Sequence, residues 1–352
     1  GFHLQTVKAE RNFFRWGGSW NPFLFALSGF VLTYSQLSRK DPGSLDSVWS
    51  SVRRRLGKVY PLYLFSLVTL LPFTLSMNPL HIVSLPVHLL LLQSWFAGQP
   101  THIHLQWNGN AWFISNLLLH WLFWRLAYPP LRRFSTSACW RWMVAVALFA
   151  LLRMRAVARY YSEGHYRDVQ FVYAHPLMNV HLFFSGMLLA RLFVARCEAR
   201  PEQLDCLAVE LGGRCRPVGA CVAFASLLLI FLLVEVPPDE GYHRLRSYAP
   251  CGSLLPLQLL LIWGLAAGED PLACLWQHPR LAWADTIYLE FFLLQYLCLL
   301  QGIRFLGAYQ RLLARCHVSH TLVFLALILP CSIYFASLVH RYVSPRLRRS
   351  TV

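Results

Sequence analysis

Long apolar stretches alternate with short polar, mostly basic loops along the whole chain. Residues 20–38, 59–77, 111–128, 177–195, 217–235, 250–267, 283–302 and 321–340 each approach the run of about 20 mostly apolar residues that a helix needs to cross a bilayer core. Residues 141–158 form a weaker span interrupted by Arg153 and Arg155, and Gly1–Val7 reads as the tail of a further one. Residues 79–97 are nearly as apolar, but Pro79 and Pro86 break the helical pattern, so a re-entrant or interfacial helix is expected there. The predicted fold class is therefore all-α: a polytopic membrane helix bundle of about ten transmembrane helices, the first one truncated. No internal repeat or low-complexity linker divides it, so residues 1–352 are expected to form a single integral membrane domain. The chain starts at Gly1 with no initiator Met, and a missing or trimmed N-terminal piece is expected.

The loop charges orient this arrangement. Loops 39–58, 125–142, 191–216, 268–282 and 341–349 carry 20 of the 32 Lys and Arg residues, and the loops on the other side carry 12. Basic residues accumulate on the cytoplasmic side, which places the first set there. Loop 77–110 holds no Lys or Arg and is the clearest outward-facing segment.

Composition agrees with this class. Hydrophobic residues make up 56% of the chain and charged ones 14%, against roughly a quarter charged in soluble domains. The net charge of +16 lies between apolar spans, where topology and anionic membrane lipid account for it. No basic run is interleaved with aromatics on a soluble module, so no nucleic-acid partner is expected. The ten cysteines include no C-x-x-C pair and read as buried thiols, with no metal site expected.

Several polar groups stand out against this background. His3 is an imidazole near the outer end of the first span, suited to general-base chemistry or to a plain interfacial position. Arg53, Arg54, Arg55 and Lys58, followed by Tyr60, precede a membrane entry. Guanidinium forks of this kind hold the phosphates of a nucleotide-based carrier such as coenzyme A, or anchor the chain at lipid headgroups. Asp285 and Glu290, with Gln295, sit within an apolar span and line a substrate cavity or form a structural ion pair. Ser28, Trp112, Ser115, Asn116 and His120 are further cavity candidates, with helix packing and the aromatic belt as the alternative account. Ser185–Gly186–Met187 reads as a close-packing step.

The order of these pieces resembles the acyltransferase 3 family of multi-spanning O-acyltransferases. That family carries a first-helix His, FF-x-LSGF, R-R-x-x-R-I-x-P, W-S-L-S-x-E-x-x-F-Y, a Gly-Met helix, Y-L-x-H and a closing E-x-P-x-R. Here His3 lies some 20 residues before the LFALSGF segment (residues 24–30), and Arg54–Pro61 matches the basic motif with Lys58 in place of its last Arg. Phe184–Leu189 fits the Gly-Met helix, and Arg341–Arg346 fits the end. The chain departs from the pattern where the family Glu falls on Leu117, F-Y on His120–Trp121, the later His on Gln295 and the final Glu on Ser344.

The resemblance implies transfer of an acyl group, often acetyl, from cytoplasmic acyl-CoA to a hydroxyl of a carbohydrate or lipid-linked acceptor. His3 would be the base or acyl relay, and Arg54, Arg55 and Lys58 would engage the carrier's phosphates. Acyl-CoA would be a co-substrate, with no bound cofactor. The expected location is a bacterial inner membrane or a eukaryotic plasma or secretory membrane, with the basic loops cytoplasmic. An ion- or proton-coupled transporter using Asp285, Glu290 and His120 is the alternative, as is a catalytically inactive scaffold of the same fold.

Overall fold

The computed structural model describes residues 20–39, 47–77, 79–98, 103–198, 217–235, 251–267, 278, 283–284, 286–298 and 327–349. Among these residues the chain is helical, with no strand. The longer helices are α1 (Asn21–Leu37), α2 (Val48–Met77), α4 (Trp112–Leu131), α5 (Thr136–Ser162), α7 (Pro176–Glu198) and α8 (Pro217–Glu235). Shorter ones are α3 (Leu85–Leu89), α6 (Tyr166–Ala174), α9 (Leu255–Ala266), α10 (Thr286–Cys298), α11 (Leu329–Tyr342) and α12 (Ser344–Arg349). The helices fall on the apolar stretches. Two apolar helical runs, Val48–Thr74 and Asp168–Glu198, are long and apolar enough to cross a membrane.

The centre of the fold is the pairing of α1 with α7, the most extensive helix contact among the described elements. Small residues permit it. A Cβ added at Gly29 would fall 2.0 Å from the Phe183 carbonyl oxygen, and one at Gly186 would fall 1.8 Å from that of Ala26. The two Ser-Gly steps of the sequence therefore face each other and bring the backbones into contact. Phe25, Phe30, Phe183 and Met187 bury their side chains around this crossing, and Trp124 and Tyr128 of α4 complete the cluster. A second cluster joins α2, α4 and α10 through Tyr63, Leu67, Ile114 and Leu293.

The apolar segment after α2 is a broken element, consistent with its prolines. It consists of a 3-10 stretch at Pro79–Ser84, α3, and 3-10 turns at Gln93–Phe96 and Ile103–Leu105. Leu91 between them takes a positive φ of 56°, unusual for a γ-branched residue. Side chains meet the backbone groups that a broken helix leaves open. Tyr60 and Tyr63 each donate a hydroxyl at 2.8 Å, to the Leu89 and His88 carbonyls, and Ser115 donates to Leu91 at 2.6 Å. Asn108 and Asn110 clasp α10 through the carbonyls of Leu293 (2.9 Å) and Phe292 (3.1 Å).

The arginines that interrupt α5 are accommodated differently. Arg155 points outward, whereas Arg153 is buried, donating through Nε and Nη2 to the Val172 carbonyl and through Nη2 to Asn179 Oδ1. The outer surface of the same helix is apolar: Val144, Leu148, Leu151 and Leu152 are all more than half exposed. A row of exposed aliphatic side chains at helical spacing is costly in water and at home against lipid.

Candidate functional site

Three helices build a basic recess. Their mutual position is set by Trp124, whose indole N–H donates 3.1 Å to Thr33 Oγ1 and locks α4 onto α1. The face of that indole carries the Arg55 guanidinium 5.2 Å above its ring, a cation–π contact. Arg55 is held a second time by its own helix, with Nη1 donating 2.6 Å to Ser51 Oγ one turn earlier. Arg54, Arg39 just beyond the end of α1, and Arg125 beside Trp124 line the same recess, together with Gln36 and Ser35. Four guanidiniums from three helices thus converge, and no carboxylate is among the described lining residues. Guanidinium forks match phosphate oxygens in geometry.

A second feature lies one turn along α4. Asn116, His120, Trp124 and Tyr128 recur every four residues and are all buried. His120 is clasped edge-on by Phe25, with ring centroids 4.8 Å apart, and stacked by Phe183 at 5.1 Å. Neither of its ring nitrogens makes a hydrogen bond among the described residues; the Pro176 carbonyl is close but does not meet hydrogen-bond geometry. Both amide atoms of Asn116 are also buried without a partner among the described residues. Nearly all buried polar atoms in folded proteins are hydrogen-bonded, so these two neighbours on one helix face stand out.

The other residues singled out in the sequence divide clearly. Arg53 and Lys58 are exposed and do not line the recess, so of the basic run Arg54 and Arg55 alone contribute. Tyr60 anchors the broken segment. Ser28 donates back to the Leu24 carbonyl of its own helix at 2.8 Å, and Ser115 serves Leu91. Trp112 packs against Tyr173 and Phe25, while its carbonyl accepts from Ser94. Gln295 makes a long 3.4 Å contact with the Phe292 carbonyl of its own helix. Glu290 is fully buried: Ser344 donates to its Oε1 at 2.7 Å, and His340 Nδ1 lies 3.0 Å from the same oxygen. That arrangement ties α10 to α11 and α12. His3 and Asp285 lie outside the described residues. Arg39, Trp124 and Arg125 are the site residues that local sequence reading missed.

Comparison with known proteins yields a partial match. An acyltransferase is similar. Acyltransferase MdmB of Streptomyces mycarofaciens is 35% identical over 127 residues, covering 34% of this chain and 30% of that protein. The match thus spans less than a third of the relative's length. No family model matches the chain, and no solved structure does.

Proposed function

We propose that this protein is a multi-pass membrane O-acyltransferase with about ten transmembrane helices. It moves an acyl group, acetyl being the expected one, from cytoplasmic acyl-CoA to a hydroxyl of a carbohydrate or lipid-linked acceptor. The observation that carries the reading is the convergence of Arg39, Arg54, Arg55 and Arg125 around Trp124, one turn from the buried His120. A nucleotide-phosphate carrier needs such a clamp, and its thioester needs a protected reaction chamber beyond it. The partial likeness to a bacterial acyltransferase supports the same reaction class.

The chemistry asks little of the protein. A base takes the proton of the acceptor hydroxyl as its oxygen attacks the thioester carbonyl. The tetrahedral intermediate collapses, the carbon–sulfur bond breaks, and the coenzyme A thiolate leaves and takes up a proton. His3 is the base in this reading. His120 and Asn116 supply hydrogen bonds inside the chamber that nothing else in the described protein uses. The basic loops, including this recess, face the cytoplasm, where acyl-CoA is available.

The test is acyl-CoA binding by calorimetry, and thioester loss, on the full chain in detergent. Acetyl-CoA, coenzyme A and dephospho-coenzyme A are compared in wild type, Arg54→Gln/Arg55→Gln and His3→Ala. The reading expects weaker binding when either the phosphate or the arginine pair is removed, and lost turnover with retained binding in His3→Ala. A wild-type protein that neither binds nor consumes acyl-CoA overturns it.

A further inference from the structure

We infer that the apolar groove between α5, α7 and α9 holds an anionic phospholipid, its phosphate at Arg196 and its acyl chains along α5. The inference rests on the membrane reading above, and on a cavity separate from the basic recess.

The cavity measures about 910 Å³, near the upper end of ordinary small-molecule pockets. One face of α5 lines it from Thr136 through Trp140, Met143, Ala147 and Ala150 to Met154. That face covers 18 residue steps, about 27 Å at the rise of an α-helix, which is close to the thickness of a bilayer core. Leu192 and Leu259 face it from α7 and α9. Its two ends differ chemically. The contacts Arg153–Asn179, Phe149–His181 and Trp142–Phe184 show α5 and α7 running antiparallel, which brings Thr136 towards the Arg196 end of α7. Phe193 packs on Trp263 at 5.2 Å, so the end of α9 arrives there as well.

At that end Arg196 is the one charged residue among the described lining, exposed at the rim and 5.6 Å over the Trp263 ring. The neighbouring carboxylate, Glu198, is engaged by Arg191 at 3.2 Å. A solvent-facing cation, an indole at the boundary and an apolar trough behind them match a phosphate, a glycerol region and acyl chains in that order. The lipid-facing side chains of α5, Val144, Leu148 and Leu151, continue the trough outward, so a chain enters sideways from the bilayer. Loop 191–216 belongs to the basic side of the protein, which puts the headgroup in the leaflet that carries anionic lipid.

The experiment uses the full chain in micelles, with native mass spectrometry of bound phosphatidylglycerol against phosphatidylcholine of equal chain length. A phosphatidylglycerol with a diazirine in its tail then maps the contact by peptide. Wild type is expected to retain phosphatidylglycerol about fivefold over phosphatidylcholine, the worth of one basic residue at a headgroup, and to cross-link on α5, α7 and α9 peptides. Arg196→Gln is expected to lose the preference while keeping the cross-links. Ala147→Trp fills the trough and is expected to lose both; Ala150→Leu, a milder filling, should lose part of the cross-linking. Equal retention of the two lipids, or cross-links confined to other peptides, overturns the inference. So does an absence of cross-links because a segment of this chain covers the groove. Resistance of the chain to alkaline extraction from membranes and acyl-CoA turnover are read separately. An extracted chain sinks the membrane reading, whereas an integral and active chain without bound phosphatidylglycerol sinks the groove alone.

Discussion

Replacing Gly186 with alanine is the sharpest test of how this bundle is assembled. The added Cβ would lie 1.8 Å from the Ala26 carbonyl oxygen, 2.7 Å from its carbon and 2.9 Å from the Phe30 nitrogen. Ordinary contact begins at 3.4 Å, so α1 and α7 must separate by about 1.6 Å. All three obstacles are backbone atoms, and no rotamer change relieves them. A gap of even 0.5–1 Å forfeits a quarter to a half of the dispersion well, and here it opens through the buried layer of Phe25, Phe30, Phe183 and Met187. Overpacking typically costs about 1–3 kcal/mol, and a rigid obstacle puts this case near ~3 kcal/mol or above. At roughly 2–4 °C per kcal/mol for larger domains, the melting temperature should fall by about 6–12 °C.

The assay is thermal unfolding of the detergent-purified protein, followed by tryptophan emission. Gly57→Ala is the control, because a Cβ there meets nothing within 4 Å. Alanine in that helix interior should raise stability by roughly 0.4–1 kcal/mol. Gly29→Ala, 2.0 Å from the Phe183 carbonyl oxygen, should behave like Gly186→Ala. The double variant should cost less than the sum of the two, since the first substitution already parts the helices. If Gly186→Ala melts with Gly57→Ala, α1 and α7 do not meet backbone to backbone and the reasoning fails.

Single Arg39→Gln, Arg54→Gln and Arg125→Gln substitutions should each weaken acyl-CoA binding by at least about tenfold, in line with the ~1.5–3 kcal/mol of a hydrogen bond to a charged group. Arg53→Gln and Lys58→Gln should stay within about twofold in the same titration. His120→Phe should leave the melting temperature unchanged or raise it, because it removes an unpartnered buried polar ring, and should depress turnover at least about tenfold; full activity would make His120 packing alone. Glu290→Ala should destabilise by about 1–3 kcal/mol by leaving Ser344 and His340 without their acceptor, visible as a lower melting temperature. His88, in the connection between α2 and α4, is pushed down to about 4 by burial, with His104 and His81 nearby adding to the effect. The unfolded chain takes up that proton near pH 6.5 and the folded one does not, so stability should fall as pH drops from about 6.5 towards 4. His88→Gln should flatten that part of the curve.

Much of the helical layout was legible in the chain because apolar runs of transmembrane length have few alternatives. The broken segment after α2 was equally legible, since Pro79 and Pro86 remove helix donors wherever they sit. Arg153 and Arg155 made 141–158 read as a weaker, interrupted span, and the helix α5 runs unbroken through both. The sequence could not announce that the Val172 carbonyl of α6 and Asn179 of α7 would receive the guanidinium. The basic motif shows the same limit in reverse. Residues 53, 54, 55 and 58 read as one cluster, but successive residues on a helix are rotated by about 100°, so a contiguous run fans out around the axis. Its real partners, Arg39 and Arg125, come from the end of α1 and the middle of α4, and only tertiary packing brings them together. Ser28 and Ser115 show a third effect that local sequence hides: short hydroxyl side chains in apolar helices find a carbonyl nearby and donate to it.

Helix α4 links the recess mechanically to the buried imidazole. Its stripe of Asn116, His120, Trp124 and Tyr128 recurs at four residues, so each group stands about 6 Å along the axis from the next. Trp124 is bound to Thr33 on one edge and carries Arg55 on its face, which makes it the joint between α1, α2 and the clamp. His120 is held between Phe25 and Phe183, the same residues that seal the α1–α7 crossing. Any motion that parts α1 from α7 therefore loosens the imidazole cage and shifts the indole under Arg55 together. A phosphate bound among the guanidiniums does the opposite: by accepting from residues of all three elements it draws α1, α2 and α4 together. Binding of a phosphate-bearing carrier should thus tighten the chamber next to it, and the melting temperature should rise with ligand in wild type and little in Trp124→Leu. A ligand-induced rise of equal size in both would separate the clamp from the chamber.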